Sequence, residues 1–469
     1  MSPLWTMAQA MSATGGVAAN GDWAANGITF DSREVAAGDL FVALKGERDG
    51  HEFMGDAFAK GAVAALISDQ PGNLPAGSPV LGVPDTLAAL EQLGVARRKD
   101  VSAKICAVTG SAGKTGTKEA LRQCLVPSGN VHASVKSFNN HLGVPLTLAR
   151  MPQDTQFGVF EVGMNHPGEI IPLTKMVRPH VAIVTTVQPV HLEFFKNVEA
   201  IADAKGEIFA GLEPDGVAII NQDNPHYDRL CSHADKADVG EIWGFGEHPG
   251  AELRLLDLVL GPDGSSVSAS ICGEPITYKI GAPGRHLVMN SLAVMGAVKA
   301  MGADLALAGL EYAKLQAADG RGRRYKIDTP AGSVTLVDES YNANPASMAA
   351  SIETLGASAP GARGRRIAVL GDMLELGPDS GQFHAKIADP LAQSDIDLVF
   401  CCGPHMSHLW EALPDAQRGL YGQSSRDLAE PVCGEARDGD VIMIKGSLGS
   451  AMKLIVDALM SQSNQDDKD

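Results

Sequence analysis

The sequence has no Cys-x-x-Cys pair, no excess of basic charge, and no unbroken apolar run on the membrane-spanning scale of about 18 residues. Each absence removes a class of function. Seven cysteines, at positions 106, 124, 231, 272, 401, 402 and 433, are odd in number, and several sit inside apolar runs. That pattern suits reduced, buried thiols better than a disulfide framework or a zinc site. Without an apolar span the chain is not expected to cross a membrane. Met1-Ser2-Pro3-Leu4-Trp5 sets no basic segment before an apolar one, so a cytoplasmic location without a signal peptide is expected. Lys and Arg total 38 against 56 Asp and Glu, a net charge of −18. Such a surface repels phosphate backbones and anionic lipid, so no nucleic-acid partner is expected. An anionic small substrate remains compatible, because a local cluster of donors outweighs a distant field screened over about 8–10 Å.

What the chain does contain is strand–helix alternation. At about 100–200 residues per domain, 469 residues suggest three domains, each able to bury a core. Residues 1–100 read as a small α/β unit, with a strand at 40–44, a helical stretch over 53–65 and a helix over 86–98 whose Leu87, Leu90 and Leu93 share a face. Arg97-Arg98-Lys99-Asp100 breaks that pattern and marks a boundary. Over 101–324 the alternation lengthens. Buried strands at 105–109, 159–162, 181–185 and 217–220 predict a parallel sheet covered on both faces. The alternating segment 253–280 predicts an antiparallel addition at the sheet edge, followed by a helical region over 287–315. The basic, Gly-rich run 320–324 marks a second boundary. Residues 325–469 repeat the rhythm, with strands at 334–337, 367–370, 398–401 and 441–444 and a last helix over 451–460, as in a doubly wound, Rossmann-like domain. The polar tail from 461 is expected to be disordered.

The strongest motif is Thr109-Gly110-Ser111-Ala112-Gly113-Lys114-Thr115, followed by Gly116. It follows a buried strand and opens a helix whose Ala120, Leu121, Cys124 and Leu125 form an apolar face. A glycine-rich turn in that context lets backbone N–H groups converge on phosphates at a helix N-terminus. Lys114 can reach the β- and γ-phosphates, and the Thr115 hydroxyl can ligate Mg²⁺. The general P-loop pattern wants Gly where Val108 stands, and the strand–loop–helix context outweighs that departure. Glu161 and His191 lie at or beyond the C-terminal ends of strands, where doubly wound sheets bind ligands. They join Thr115 as candidates around divalent cations, although His191 alone reads more readily as a structural histidine. Lys205 in isolation is a solvated helix lysine. Asn290 suits a cap or a ring-stacking site equally. The run Asp338-Glu339-Ser340-Tyr341-Asn342-Ala343-Asn344-Pro345 holds more acid and aromatic character than a turn needs, and reads as functional.

Together these motifs resemble the Mur ligase family, the ATP-dependent amide-forming ligases of peptidoglycan precursor synthesis. The resemblance covers essentially the whole chain in order. Asp31-Ser32-Arg33, residues 38–44 and Asp49-Gly50-His51 resemble the family's UDP-substrate domain, and its shortened P-loop accounts for Val108. Residues 139–145, 338–345, 370–377 and Lys445-Gly446-Ser447 resemble members that act on D-alanyl-D-alanine. The resemblance implies an α/β fold of three domains: a UDP-precursor domain (1–100), a central ATP-binding P-loop sheet (101–324) and a C-terminal Rossmann-like domain receiving the amine (325–469). It implies that Lys114 and the loop 110–116 hold ATP phosphates, that Thr115 and Glu161 hold one Mg²⁺, and that His191 holds a second. Lys205 matches the position that the family carbamylates into a carboxylate-like metal ligand. Asn290 would face the nucleotide from the central domain, and Arg321, Glu339 and Tyr341 from the C-terminal one. Ser32, Arg33 and Asn140 match UDP-precursor positions; Asp372 and Lys445 fall to the amine substrate. Glu339 stands where Asp is common, and Leu448 where a basic residue is frequent.

The implied substrates are UDP-MurNAc-tripeptide and D-Ala-D-Ala, and a monomer is expected. The rival readings are a ligase adding the third residue of the same peptide, a folylpolyglutamate synthase-like ligase, and a nucleotide-dependent switch. The first carries Asp-Asn-Pro-Arg in its last domain, and residues 325–469 contain no such run. A switch needs neither the strand-end His191 and Lys205 nor an N-terminal substrate unit.

Overall fold

The computed structural model describes residues 3–69, 74–135, 137–190, 192–261 and 264–462. The N-terminal sheet comprises β1 (Val17–Ala19), β2 (Gly27–Thr29), β3 (Asp39–Val42), β4 (Ala64–Ile67) and β5 (Val80–Gly82), in the spatial order β1-β5-β4-β3-β2. Strands β2 to β5 are parallel and β1 is antiparallel at the edge. The helix expected over 53–65 is shorter, Met54–Ala59, and its last residues belong to β4. Alanine's helix preference hides that strand, all four of whose residues are buried at the middle of the sheet.

The helix Thr86–Asp100 runs through the basic cluster. Arg97 and Arg98 are 1% and 5% exposed. Arg98 Nε donates to Val177 O and Nη2 to Arg178 O, both at 2.7 Å, so the guanidinium satisfies the last carbonyls of the helix Ile170–Val177. Arg97 lies 4.3 Å over the Trp5 ring and donates to the Leu4 carbonyl.

The central sheet has nine strands: β6 (Lys104–Thr109), β7 (Val131–Ala133), β8 (Phe157–Glu161), β9 (Val181–Val184), β10 (Val217–Asn221), β11 (Glu241–Gly246), β12 (Leu253–Leu260), β13 (Ser265–Ile271) and β14 (Glu274–Ile280). Their order is β14-β13-β12-β11-β10-β9-β6-β8-β7, parallel except for the expected antiparallel edge formed by β12 to β14. Alternation along β6 sends Cys106 and Val108 into one core and Ile105 and Ala107 into another, so each face is covered. The region expected as helix over 287–315 is two helices, Arg285–Ala300 and Leu305–Tyr312, separated at Gly302, whose φ is +75°. The helix Gly143–Ala149 is buried on all sides, and its Leu146 and Ala149 complete the core of the N-terminal sheet. Trp5 Nε1 donates to Ala149 O at 2.8 Å.

The C-terminal sheet comprises β15 (Arg323–Thr329), β16 (Gly332–Glu339), β17 (Arg366–Gly371), β18 (Leu398–Cys402), β19 (Arg418–Gly422) and β20 (Val441–Lys445), in the order β15-β16-β20-β17-β18-β19. Only the β15–β16 hairpin is antiparallel. The last helix is Lys453–Gln462, so Ser461 and Gln462 are helical and the rest of the expected tail, 463–469, lies outside the described residues. All seven cysteines are free. Among the described residues no helix is long and apolar enough to cross a membrane.

Candidate active site

The loop between β6 and the helix Lys114–Leu125 is glycine-rich for steric reasons. Gly110 and Gly113 have φ of +148° and +82°. A methyl group on Gly110 would sit 1.9 Å from Thr185 Oγ1, and one on Gly113 2.5 Å from Asn290 Nδ2. The loop is latched to the segment after β9: Ser111 N donates to Thr186 O at 2.8 Å, and Thr185 Oγ1 to Ala112 O at 2.6 Å. Val108 lies inside β6 and is fully buried, so it serves the core and not the loop.

Lys114 Nζ donates to Gly110 O at 2.8 Å. Thr115 Oγ1 donates to Glu161 Oε2 and Asn139 Nδ2 to Glu161 Oε1, both at 2.8 Å, at the C-terminal end of β8. Lys205, on the helix Val198–Gly206, is 1% exposed, which overturns the reading of it as a solvated lysine. Burial, reinforced by the Lys114 charge, holds its ammonium well below the usual lysine range. Burial also lowers Lys114; Glu161 opposes that shift and Arg321 adds to it. Arg321 reaches in from the connection to the C-terminal sheet, donating to Ser137 Oγ at 3.2 Å and lying 4.3 Å over the Tyr341 ring. Lys205 and Arg321 thus crowd Lys114, with Glu161 as the opposing carboxylate. Within a chain of net charge −18, this spot seeks anions.

A cavity of about 310 Å³ opens beside the loop, lined by Gly113, Gly116 and Asn290 on the central side and by Arg321, Glu339 and Lys445 on the C-terminal side. Lys445 is buried and donates to Asn342 O at 3.0 Å and to Glu339 Oε2 at 3.3 Å. The glutamate at 339 therefore has a partner across the strand pair β16–β20. Asp372 is not among the cavity's lining residues; its carboxylate accepts from the backbone amides of His405 and Met406 at 3.3 and 2.9 Å. Leu448 is 65% exposed. Ser32, Arg33 and Asn140 are likewise not among the cavity's lining residues. Arg33 forks onto Asp31, holding that carboxyl down to about 2, while the Ser32 carbonyl accepts from Lys60 Nζ at 2.8 Å. Asn140 Oδ1 accepts from Gly143 N at 3.0 Å, capping the buried helix that follows. His191 lies outside the described residues.

Sequence reasoning passed over Asn139, Ser137 and Thr185. Asn139 stands beside the chosen Asn140, and Thr185 directly follows β9, a strand-end position that was the available signal. Among the described residues no group of three or more His, Cys, Asp or Glu forms a ready-made metal cluster. The oxygen pair of Thr115 and Glu161 instead suits a Mg²⁺ that completes its shell with phosphate and water.

Topology, loop and cleft define a P-loop α/β protein with a cationic crevice between two sheets. Models of the Mur ligase family match three consecutive parts: the family's catalytic domain at residues 25–99, its middle domain at 108–298 and its glutamate ligase domain at 322–448. The chain is 35% identical to the UDP-N-acetylmuramoyl-tripeptide–D-alanyl-D-alanine ligase of Bacillus subtilis, over 93% of this chain and 93% of that protein. The structure of MurF from Acinetobacter baumannii superposes with a TM-score of 0.84 at 29% identity, covering 97% of this chain and 99% of that one. The MurF ligase of Thermotoga maritima in complex with ADP gives 0.77 at 26%, covering 94% and 98%. The chain belongs to the Mur ligase family.

Proposed function

We propose that this protein is the ATP-dependent ligase joining D-alanyl-D-alanine to UDP-MurNAc-tripeptide. The observation that carries the reading is the gathering of Lys114, Lys205 and Arg321 at a glycine-rich helix N-terminus, facing the strand ends of a second α/β unit. Likeness along nearly the whole chain to D-alanyl-D-alanine ligases supports the choice of substrates. Residues 1–100 bind the UDP-precursor, with Ser32, Arg33 and Asn140 along its path. Residues 101–324 bind ATP, and residues 325–469 receive the dipeptide.

The tripeptide carboxylate attacks the γ-phosphorus, forming an O–P bond as the bond to the β-phosphate oxygen breaks and ADP leaves. The dipeptide nitrogen then attacks the acyl carbon. The C–O bond to phosphate breaks, and an amide, inorganic phosphate and a proton are released. Loop amides from 110 to 116 and Lys114 hold the phosphates, while Arg321 closes on them from the C-terminal side. Charge crowding at the transferred group makes such fixed cations the main source of rate. Asn290 faces the nucleotide across Gly113, with Glu339 and Tyr341 behind Arg321. Thr115 and Glu161 would hold one Mg²⁺, and His191 with a carbamylated Lys205 a second; the metal supplies charge neutralisation at the phosphates. Buried beside Lys114, the Lys205 ammonium is disfavoured, and a carbamate gives that side chain the sign the site needs.

The test is phosphate release from ATP across a panel of acceptors and amines. Release that requires both the precursor and the dipeptide supports the ligase. Release with neither present makes the protein a nucleotide switch.

A further inference from the structure

Ser137, on the chain leaving β7, lies where the three units meet. Its neighbours in sequence are tied to the central sheet. Ser134 N donates to Val159 O at 3.1 Å, and Ser134 Oγ accepts from Glu161 N at 3.2 Å. The fully buried Lys118 donates through Nζ to Ser134 O at 2.6 Å. On the other side, Asn139 O accepts from Gly163 N at 2.8 Å. The Phe138 ring stacks on Phe30, directly after β2, with centroids 6.3 Å apart and planes at 29°. The central and N-terminal units therefore set where the Ser137 hydroxyl stands.

Arg321 arrives from the third unit. Asp338, in β16, holds the backbone on both sides of it: the carboxylate accepts from Gly320 N at 3.1 Å and the carbonyl from Gly322 N at 2.8 Å. Gly320 O in turn accepts from Tyr341 N at 3.1 Å. The backbone of Arg321 is thus part of the C-terminal unit. Its Nη2 donates to Ser137 Oγ at 3.2 Å, across units and 184 residues of sequence. The Tyr341 ring, 4.3 Å from the guanidinium, supports its plane, but a residue of the same unit cannot register one unit against another.

Counting protons gives the contact a direction. Thr115 Oγ1 has one proton and donates it to Glu161 Oε2 at 2.8 Å. Ser137 Oγ lies 3.4 Å from Thr115 Oγ1, so the proton between these two hydroxyls is that of Ser137. Arg321 donates to Ser137, Ser137 to Thr115 and Thr115 to Glu161. The chain runs one way from a guanidinium to a carboxylate, the order in which each bond polarises the next. We propose that Ser137 is a positioning residue: its hydroxyl docks Arg321 beside Thr115 and so aims the cation of the C-terminal unit at phosphates held by the loop 110–116. The inference rests on the ATP site of the ligase reading above and adds to it the point at which the C-terminal unit is registered.

The experiment is a double-mutant cycle between Ser137→Ala and Arg321→Ala in the full chain, read by calorimetric titration with ATP and Mg²⁺. Ser137→Ala weakens ATP binding about 10-fold, the weight of one hydrogen bond to a charged group. Ser137→Thr, which keeps the hydroxyl, recovers most of that loss. Arg321→Ala binds ATP more weakly than wild type, and adding Ser137→Ala to it changes affinity by less than about twofold, because the group that the serine positions is gone. A serine substitution that costs as much without Arg321 as with it overturns the inference, since the hydroxyl then acts on Thr115 alone. So does a Ser137→Ala protein that binds ATP as wild type does, or a threonine variant as weak as the alanine one. The binding cycle needs no ligation. A non-additive cycle in a protein that releases no phosphate with precursor and dipeptide therefore supports this inference while overturning the ligase reading, and a wild type that binds no ATP overturns both.

Discussion

Replacing Glu161 with glutamine separates the two jobs of that side chain. The carboxylate is 1% exposed and accepts from Thr115 and Asn139, each at 2.8 Å. Glutamine has the same shape, and its amide satisfies both neighbours: the oxygen accepts from Asn139 and the nitrogen donates to Thr115 Oγ1. Each contact falls from charge-assisted to neutral, about 1 kcal/mol apiece. The expected loss of about 2 kcal/mol is within the 5–15 kcal/mol that holds a typical fold together. Nucleotide binding should split. Without Mg²⁺, the variant binds ATP as tightly as wild type or tighter, because a carboxylate no longer opposes the phosphates. With Mg²⁺, the gain in affinity seen in wild type shrinks by about 10- to 100-fold, the worth of one charged contact. Calorimetric titration with ATP in Mg²⁺ and in EDTA measures both arms, and a thermal melt checks the fold. A variant in which Mg²⁺ tightens ATP binding as much as in wild type refutes the assignment of Glu161 to the metal. Weaker metal-free binding would show that the carboxylate acts by shaping the loop.

Lys114→Ala is expected to lower ligation by about 10²–10³ or more while leaving the melting temperature near that of wild type, since among the described residues the ammonium's hydrogen-bond partner is the Gly110 carbonyl. Lys205→Ala is expected to be nearly inactive and to regain turnover with added short carboxylic acids. Lys205→Arg stays inactive in the same assay, because a guanidinium keeps the positive charge and cannot be carbamylated. The protein should also be acid-sensitive through His132, which burial holds down to about 4 against an ordinary 6.5. Its unfolded form takes a proton that the folded form refuses, so stability is full above pH 6.5 and falls as pH drops toward 4. Urea midpoints at neutral and mildly acid pH measure this, and His132→Gln should flatten the difference.

Where the sequence carried both a pattern and its context, reading and structure agree. The segment from Lys104 to Leu125 announces itself as strand, turn and helix, because a buried β-branched run, glycines with forced geometry and an apolar helical face follow in order. Placement from strand ends alone was less reliable. Asp372 stands just after β17 as a ligand residue should, yet its carboxylate is spent on the amides of His405 and Met406. Nothing local shows which way a side chain turns once its loop is pinned. Lys205 looks solvated in a helix that carries Glu199 and Asp203, and only tertiary packing removes it from water. The strand β15 goes unnoticed in the sequence, where its first two residues, Arg323 and Arg324, fall in the basic run that marks a boundary; an edge strand needs only one apolar face. Arg97 and Arg98 were taken as the polar break between two units, whereas both are buried and donate to carbonyls there.

The helix Gly143–Ala149 belongs to the central stretch of the chain but fills the core of the first sheet, with Trp5 bonded to its last residue. Arg98 grips the central unit from the other direction. Cutting between residues 100 and 101 would therefore not release an autonomous N-terminal fragment. It would strip Leu146 and Ala149 from the core they share with Leu40, Leu66 and Leu93, and leave two helix-end carbonyls without a donor. The first two units are therefore expected to unfold, and to exchange their amide hydrogens, as one cooperative block. Linear order along the gene and order of assembly in the folded protein are thus different things here: the core of the first sheet cannot close before about the first 150 residues have been made.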